Sequence, residues 1–163
     1  LRHQMILPEQ QFLYDYWRSK CRGGKLPSRD DIDPQDIKDY LPMISLLECS
    51  GCVETPRYKY RLAGTGFWEL FSAEITGRFL DELPIGDRAG YWQRVLGRVV
   101  DLARPSAGVT RPGTPGRSHL AQFWIRLPLA NDGVNPTMIL GFDHLVSISD
   151  MAVKTATDQR VSA

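Results

Sequence analysis

The sequence of 163 residues lacks the features that mark disulfide-rich, nucleic-acid-binding and membrane-spanning proteins. Three cysteines are too few for the disulfide framework of a small secreted domain. The 20 Lys and Arg residues balance 19 Asp and Glu residues, so the basic excess typical of nucleic-acid binding is missing. No apolar run approaches the roughly 20 residues that span a bilayer, and the N-terminus has no signal-peptide pattern. We therefore expect a cytoplasmic protein without a nucleic-acid partner, with one main core.

Catalytic and metal-binding motifs are equally scarce. The sequence contains no G-x-S-x-G, no H-E-x-x-H and no supported Ser/His/Asp arrangement, so we assign no catalytic residue and expect no enzyme. Cys49 and Cys52 form a C-x-x-C, but in a turn rather than at the helix N-terminus that activates a redox thiol. A zinc site needs four ligands, and a second cysteine pair is missing. We predict no metal site, and a redox role of the two cysteines stays open.

Hydrophobic periodicity predicts the order of the secondary-structure elements. Apolar residues at helical spacing indicate helices over 8–21 and 87–104, and an Asp-Pro start indicates a short helix from Asp33. Alternating or apolar runs indicate strands at 43–49, 58–62, 106–111, 122–129 and from Met138. This order predicts an α+β domain, with a five-stranded antiparallel sheet and helices inserted between strands 2 and 3.

The stretch YRLAGTGFWELF, from Tyr60 to Phe71, places two glycines between a strand and a helix, as phosphate-binding loops do. A dinucleotide fingerprint requires a small third residue, and Glu69 occupies that position. We interpret Gly64 and Gly66 as structural glycines that let the chain turn.

Three stretches, in order, resemble a PAS domain of a bacterial single-domain subfamily: LPSRDDIDP, YRLAGTGFWELFSAEITGRFLDEL and LPLANDG. The resemblance implies a cup in which helices close over a sheet. It divides the chain into an N-terminal helical extension (1–42), a PAS-like core (43–148) and a flexible C-terminal tail (149–163).

PAS sensors hold haem, flavin, small acids or nothing. The run ITGRFL, from Ile75 to Leu80, is similar to the turn of light-oxygen-voltage flavin sensors but lacks their reactive cysteine. Residues 87–104 contain no His, Cys or Met to ligate haem. We therefore expect no cofactor.

The resemblance predicts an apolar pocket beneath the helical lid. We expect it to be lined by aromatic residues of the lid and by alternate positions of the sheet, with Tyr60 or Arg61 supplying polarity. The candidate ligand-binding residues are Tyr60, Phe67, Trp68, Phe71, Phe79, Trp92, Phe123, Ile125, Met138 and Leu140. Gln122, Trp124 and Arg126 alternate with the apolar residues of their own strand, 122–129. We therefore place them on the outer, wet face of the sheet, where Trp124 would mark a dimer surface.

These features favour a sensory or signalling module without catalytic activity. We expect it to bind a small apolar or acidic metabolite and to contact another signalling protein or a second copy of itself, as a homodimer. The alternative is a small cone-shaped α+β ligand carrier or enzyme with an apolar cavity.

Overall fold

The computed structural model describes residues 1, 5–51 and 54–152. Its main helices and strands are, in chain order, α1 (Pro8–Lys20), β1 (Ile44–Ser50), β2 (Arg57–Ala63), α2 (Phe67–Phe71), α3 (Arg88–Leu102), β3 (Ser106–Thr110), β4 (Leu120–Leu129) and β5 (Met138–Ser147). Short 3₁₀ helices lie at Arg29–Asp31, Pro34–Met43 and Leu80–Glu82. Part of the expected tail, residues 153–163, lies outside the described residues, whereas residues 148–152 are helical.

The five strands form one antiparallel sheet in the order β2-β1-β5-β4-β3. Helices α2 and α3 connect β2 to β3, which lie at opposite edges of the sheet. The predicted α+β fold, with its helices inserted between strands 2 and 3, is confirmed.

Both faces of the sheet are covered, and each has its own hydrophobic core. The inner core lies under α2 and α3 and includes Leu47, Trp92 and Leu96. The outer core lies under the segment before β1 and includes Trp17 and Ile125. As a result every residue of β4 is buried, so this strand has no face in water.

The N-terminal helix α1 docks on the sheet through two side chains. The Gln10 amide nitrogen donates a hydrogen bond to the Trp124 carbonyl oxygen (2.8 Å), and Trp17 Nε1 donates to that of Pro128 (2.9 Å). Both side chains are buried. The two contacts supply partners to buried carbonyl groups of β4, which such groups need. They attach α1 to the sheet of its own chain.

The helix predicted from Asp33 is a 3₁₀ helix and extends past Pro42 to Met43. The Asp33 carboxylate caps it by accepting a hydrogen bond from the Gln35 backbone N–H at 2.9 Å. Non-helical backbone angles at Ile37 (φ −122°, ψ 22°) interrupt it, so it consists of two short turns rather than one α-helix.

Gly64 and Gly66 have a structural reason in the close approach of two backbone segments. A Cβ at Gly64 would overlap the carbonyl oxygens of Leu41 and Pro42, and one at Gly66 would collide with the Met43 side chain. The Gly66 N–H also donates to the Pro42 carbonyl oxygen at 2.8 Å. The glycines therefore let the turn after β2 pack against the segment that leads into β1.

Candidate functional site

An inner pocket lies between the sheet and the helices α2 and α3. It has aromatic walls, a polar floor and a rim from the loop between β3 and β4. Its walls include Tyr60, Phe67, Phe71 and Trp92, its floor Gln122, Arg126 and Asp143, and its rim Pro112, Gly113 and Thr114. The free space at its centre is about 10 Å³, which is room for about one water molecule.

The polar floor is set by the register of β4 against β5. Asp143 pairs with Trp124 across the ladder, so Gln122 and Arg126 are its diagonal neighbours on the same face. Arg126 Nη2 donates to Asp143 Oδ1 at 2.9 Å, and Gln122 Nε2 donates to the same oxygen at 2.8 Å. Gly141 leaves room for the guanidinium, since a Cβ there would lie 3.2 Å from Arg126 Nη1.

The Arg126–Asp143 ion pair is almost completely removed from solvent. The exposed fractions of the two side chains are 3% and 0%. Arg126 Nη1 also donates to the carbonyl oxygens of Ile125 (2.9 Å) and Phe142 (3.1 Å). The two charges compensate each other inside the domain, where an unpaired charge would be very costly.

Aromatic rings surround the guanidinium. Its central carbon lies 4.5 Å from the centre of the Trp92 ring and 5.8 Å from that of Trp124, within the range of cation–π attraction. The two indoles meet edge to face at 5.3 Å, and Trp124 Nε1 donates to the Tyr91 hydroxyl oxygen at 3.1 Å. These contacts hold the guanidinium group of Arg126 between the sheet and α3.

Three polar atoms of the pocket residues have no hydrogen-bond partner. They are Arg126 Nε, Asp143 Oδ2 and Thr114 Oγ1, and they make up three of the five such buried side-chain atoms in the part of the chain that the structure describes. Leaving a buried donor or acceptor unpaired costs about 1–3 kcal/mol. Such atoms are rare in native proteins, and three of them belong to residues of this one pocket.

The loop between β3 and β4 closes the pocket against the helices. A Cβ at Gly113 would overlap the carbonyl oxygen of Ile85, so only glycine lets the loop pack this closely against the segment before α3. Arg117 fastens the end of this loop to α2 by donating from Nε to the Glu69 carbonyl oxygen at 2.7 Å. Its Nη2 lies 3.5 Å from the hydroxyl oxygen of Ser72.

Tyr60 supplies a hydroxyl at the edge of the floor. Burial raises the pKa of Tyr60 far above its usual value, and the nearby Arg126 charge opposes this shift only in part. The phenol therefore stays protonated at neutral pH and presents a neutral hydroxyl.

Four of the predicted pocket residues meet in this pocket: Tyr60, Phe67, Phe71 and Trp92. Trp68 lies on the opposite side of α2 and is 53% exposed. Phe79 stacks instead under the Arg57 guanidinium, 3.8 Å from the ring centre.

The prediction was wrong for the sheet residues, because it assigned the faces of β4 and β5 the wrong way round. Ile125 and Leu140 belong to the outer core, and Met138 packs against it. Phe123, buried, has the same strand parity as Ile125 and is absent from the pocket lining. The inner face is the polar one, with Gln122, Trp124 and Arg126.

Two further expectations change with this correction. Trp124 is only 3% exposed and belongs to the inner core, so it marks no dimer surface. Arg61 is exposed and pairs with Glu48 at 3.6 Å, so the arginine of the pocket is Arg126 and not Arg61.

A signal for the missed residues was present in the sequence. The prediction placed helices before and between the strands, and helices on both sides of a sheet leave its central strands without a wet face. A single acid, Asp143, in the apolar strand MILGFDHLV then calls for a buried cation. Arg126, in the neighbouring predicted strand, is the candidate.

Other chemistry finds little support in the described residues. Those residues contain no group of three or more His, Cys, Asp or Glu side chains that could hold a metal ion. Burial raises the pKa of the Cys49 thiol, the opposite of what a reactive thiolate requires. Cys52 lies outside the described residues. No helix in the described part of the chain has the length and apolar character to cross a membrane.

A family model described as PAS domain matches residues 5–143. The chain belongs to the PAS domain family. The match runs from the segment before α1 to the Asp143 of the pocket floor, so this PAS domain includes the N-terminal helix as well as the sheet.

Solved structures share the PAS fold. The Rhodobacter sphaeroides LOV protein is 16% identical, with a TM-score of 0.52 over 77% of this chain and 74% of that one. A light-oxygen-voltage domain from a study with a flavin analogue is 14% identical, with a TM-score of 0.53 over 79% and 94%. VqmA bound to DPO is 15% identical, with a TM-score of 0.50 over 70% and 58%. Identities this low show the fold alone.

No curated protein matches the sequence. The fold of this PAS domain is one that signalling modules typically use.

Proposed function

We propose that the protein is a sensory PAS module that binds a small molecule in the inner pocket and signals through contact with another protein chain. The observation that carries the proposal is the set of unpartnered atoms, Arg126 Nε, Asp143 Oδ2 and Thr114 Oγ1, in one buried pocket. A ligand that bonds to them would pair polar atoms that have no partner within the protein.

The buried ion pair supports the same proposal. Replacing a buried pair by apolar residues of similar size is often neutral or stabilising. Stability therefore gives no reason for Arg126 and Asp143 to lie among Trp92, Trp124 and Tyr60. Recognition of a polar ligand gives one.

The pocket also favours binding over catalysis. Among the described residues that line it there is no histidine, cysteine, serine or lysine. The one carboxylate is held by Arg126 and Gln122. We therefore propose that the ligand leaves unchanged.

Helix α2 connects the pocket to the surface. Phe67 and Phe71 line the pocket, whereas Trp68 points away from the core and is 53% exposed. A ligand that shifts the two phenylalanines also shifts Trp68, and an exposed tryptophan is well suited to an interface. We propose that Trp68 contacts the partner, a second copy of the chain in a homodimer or another signalling protein.

A thermal-stability screen tests the binding. The compounds include uncharged amides, carboxylates, amines and apolar molecules, and the variants are Arg126→Met/Asp143→Leu and the control Arg57→Gln/Asp81→Asn, which removes an exposed ion pair (2.7 Å) of the same residue types. At least one compound should raise the melting temperature of the wild type and the control but not of the pocket variant. The proposal is wrong if no compound does so. Mass spectrometry of the recovered compound checks that it is unchanged.

Sedimentation analysis tests the surface. The Trp68→Ser variant should keep the ligand response and lose self-association. A wild type that stays monomeric, or a variant that associates equally well, would contradict a homodimer built on Trp68.

A further inference from the structure

We infer that the ligand of the inner pocket is a small uncharged molecule with a flat group that carries a hydrogen-bond donor beside an acceptor, as a carboxamide does. The inference rests on the proposed function and names the chemistry of its ligand. It differs from the apolar or acidic metabolite that the sequence predicts.

Charge excludes the acidic ligand. A lone buried arginine would favour a carboxylate, but Asp143 already neutralises Arg126 at 2.9 Å. The described lining of the pocket contains no other charged side chain. An anion or a cation would therefore bring a net charge next to side chains that are almost completely buried, which is unfavourable.

Hydrogen bonding excludes the purely apolar ligand. Arg126 Nε offers an N–H, Asp143 Oδ2 offers lone pairs, and the Thr114 hydroxyl offers both. A carboxamide oxygen accepts from Nε, and the carboxamide N–H donates to Oδ2. A carboxylate would set its charge against Oδ2, and an ammonium group would set its N–H bonds against that of Nε.

The walls determine the shape of the ligand. Trp92 stacks on the guanidinium, and Phe67, Phe71 and Tyr60 complete an aromatic enclosure, which favours a flat guest. Free space of about 10 Å³ holds no such guest while the pocket is closed. Binding therefore displaces a part of the wall, and the rim loop at Gly113 and Thr114, which lies outside the helices and strands, is the part that we expect to move.

Four compounds of nearly the same shape separate the possibilities. Benzamide is uncharged and carries both donor and acceptor, benzoate is an anion, benzamidine is a cation, and acetophenone keeps the acceptor but lacks the donor. Each is titrated into ¹⁵N-labelled full-length protein. Two-dimensional NMR follows the Arg126 Nε–H signal, assigned by its loss in Arg126→Lys, and the indole N–H signals of Trp92 and Trp124.

Benzamide should shift these signals at the lowest concentration. Acetophenone should bind about tenfold more weakly, because it leaves Asp143 Oδ2 unpaired. Benzoate and benzamidine should bind more weakly still. In Arg126→Met/Asp143→Leu the preference for benzamide over acetophenone should disappear, while Arg57→Gln/Asp81→Asn should retain it.

The other outcomes separate the two proposals. If benzoate or benzamidine shifts the signals more strongly than benzamide, the inferred class is wrong while ligand binding stands. If acetophenone equals benzamide in the wild type, the donor role is wrong. If none of the four compounds shifts the signals, the inference is wrong and the space serves a water molecule. The proposed function fails as well only if the stability screen also finds no pocket-dependent ligand.

Discussion

Replacement of Asp143 by leucine, with Arg126 kept, should lower the free energy of unfolding by about 3–5 kcal/mol, because it leaves a buried guanidinium without its counter-charge. The structure supports the upper part of this range. Asp143 is 0% exposed, and its Oδ1 accepts hydrogen bonds from both Arg126 and Gln122. Arg126→Met should cost a similar amount, because it leaves a buried carboxylate unpaired.

The double replacement Arg126→Met/Asp143→Leu should be close to the wild type, since it removes both charges and both unpartnered atoms, Nε and Oδ2. The losses of the two single variants then do not add, and the coupling energy between the sites exceeds about 3 kcal/mol. Methionine is smaller than arginine and leucine is larger than aspartate, so the two volume changes partly offset each other.

Urea unfolding followed by tryptophan fluorescence measures all four proteins, with the linear slope as a check on two-state behaviour. The same cycle on the exposed pair Arg57 and Asp81 is the control and should show far weaker coupling. Additive losses at Arg126 and Asp143 would show that the two side chains are not coupled. A double variant as unstable as either single one would show that the pair itself stabilises the fold, and either result would contradict the prediction.

Three further predictions test other parts of the structure, each by urea unfolding. Gly64→Ala should destabilise the fold by about 1–3 kcal/mol, because the added methyl group overlaps backbone carbonyl oxygens. Gly97→Ala in α3 is the control: its Cβ would lie 3.8 Å from the nearest atom, the Tyr58 hydroxyl oxygen, so this variant should be more stable by up to about 1 kcal/mol. Equal effects of the two changes would contradict the close approach at Gly64. Trp17→Ala should cost about 3–5 kcal/mol if α1 is part of the core, and a negligible loss would show that it is not. Hydrogen bonds from Asn135 and Val134 lower the pKa of Asp132 from 3.8 to about 2, so its contribution is present above about pH 4 and is lost as the pH falls towards 2; the stability difference between wild type and Asp132→Ala should shrink over that range, and a constant difference would argue against it.

The fold was predictable because its signals are local. The apolar spacing on α3 at Trp92, Leu96 and Val99 identifies both the helix and its buried face. The alternation in β4 identifies a strand equally well. The polar and apolar composition of each stretch was enough to give the element order, and the resemblance to PAS domains agreed with it.

The site was not predictable from the same signals. Alternation in β4 shows that Arg126 and Ile125 face opposite sides, but it does not show which side is covered by which helices. Polar residues were assigned to solvent, and both sides proved to be covered. The pairing of Arg126 with Asp143 depends on the register of β4 against β5, which is a tertiary property.

Leu62 illustrates the same limit on a smaller scale. Its alternation with Tyr58 and Tyr60 predicts a buried residue, yet it is 43% exposed. The β1–β2 register shifts between Leu46 and Leu47, so Leu62 pairs with Leu46 of the outer core rather than with a residue of the inner core. A bulge of this kind changes the face of a side chain without changing the local sequence pattern.

Ligand recognition in the inner pocket is tested most directly by a crystal structure of the protein soaked with benzamide. Benzamide should lie between the sheet and α3, with its oxygen within hydrogen-bond distance of Arg126 Nε and its N–H directed at Asp143 Oδ2. Arg126 and Asp143 turned towards solvent, or an inner pocket that holds only water at saturating benzamide, would contradict it.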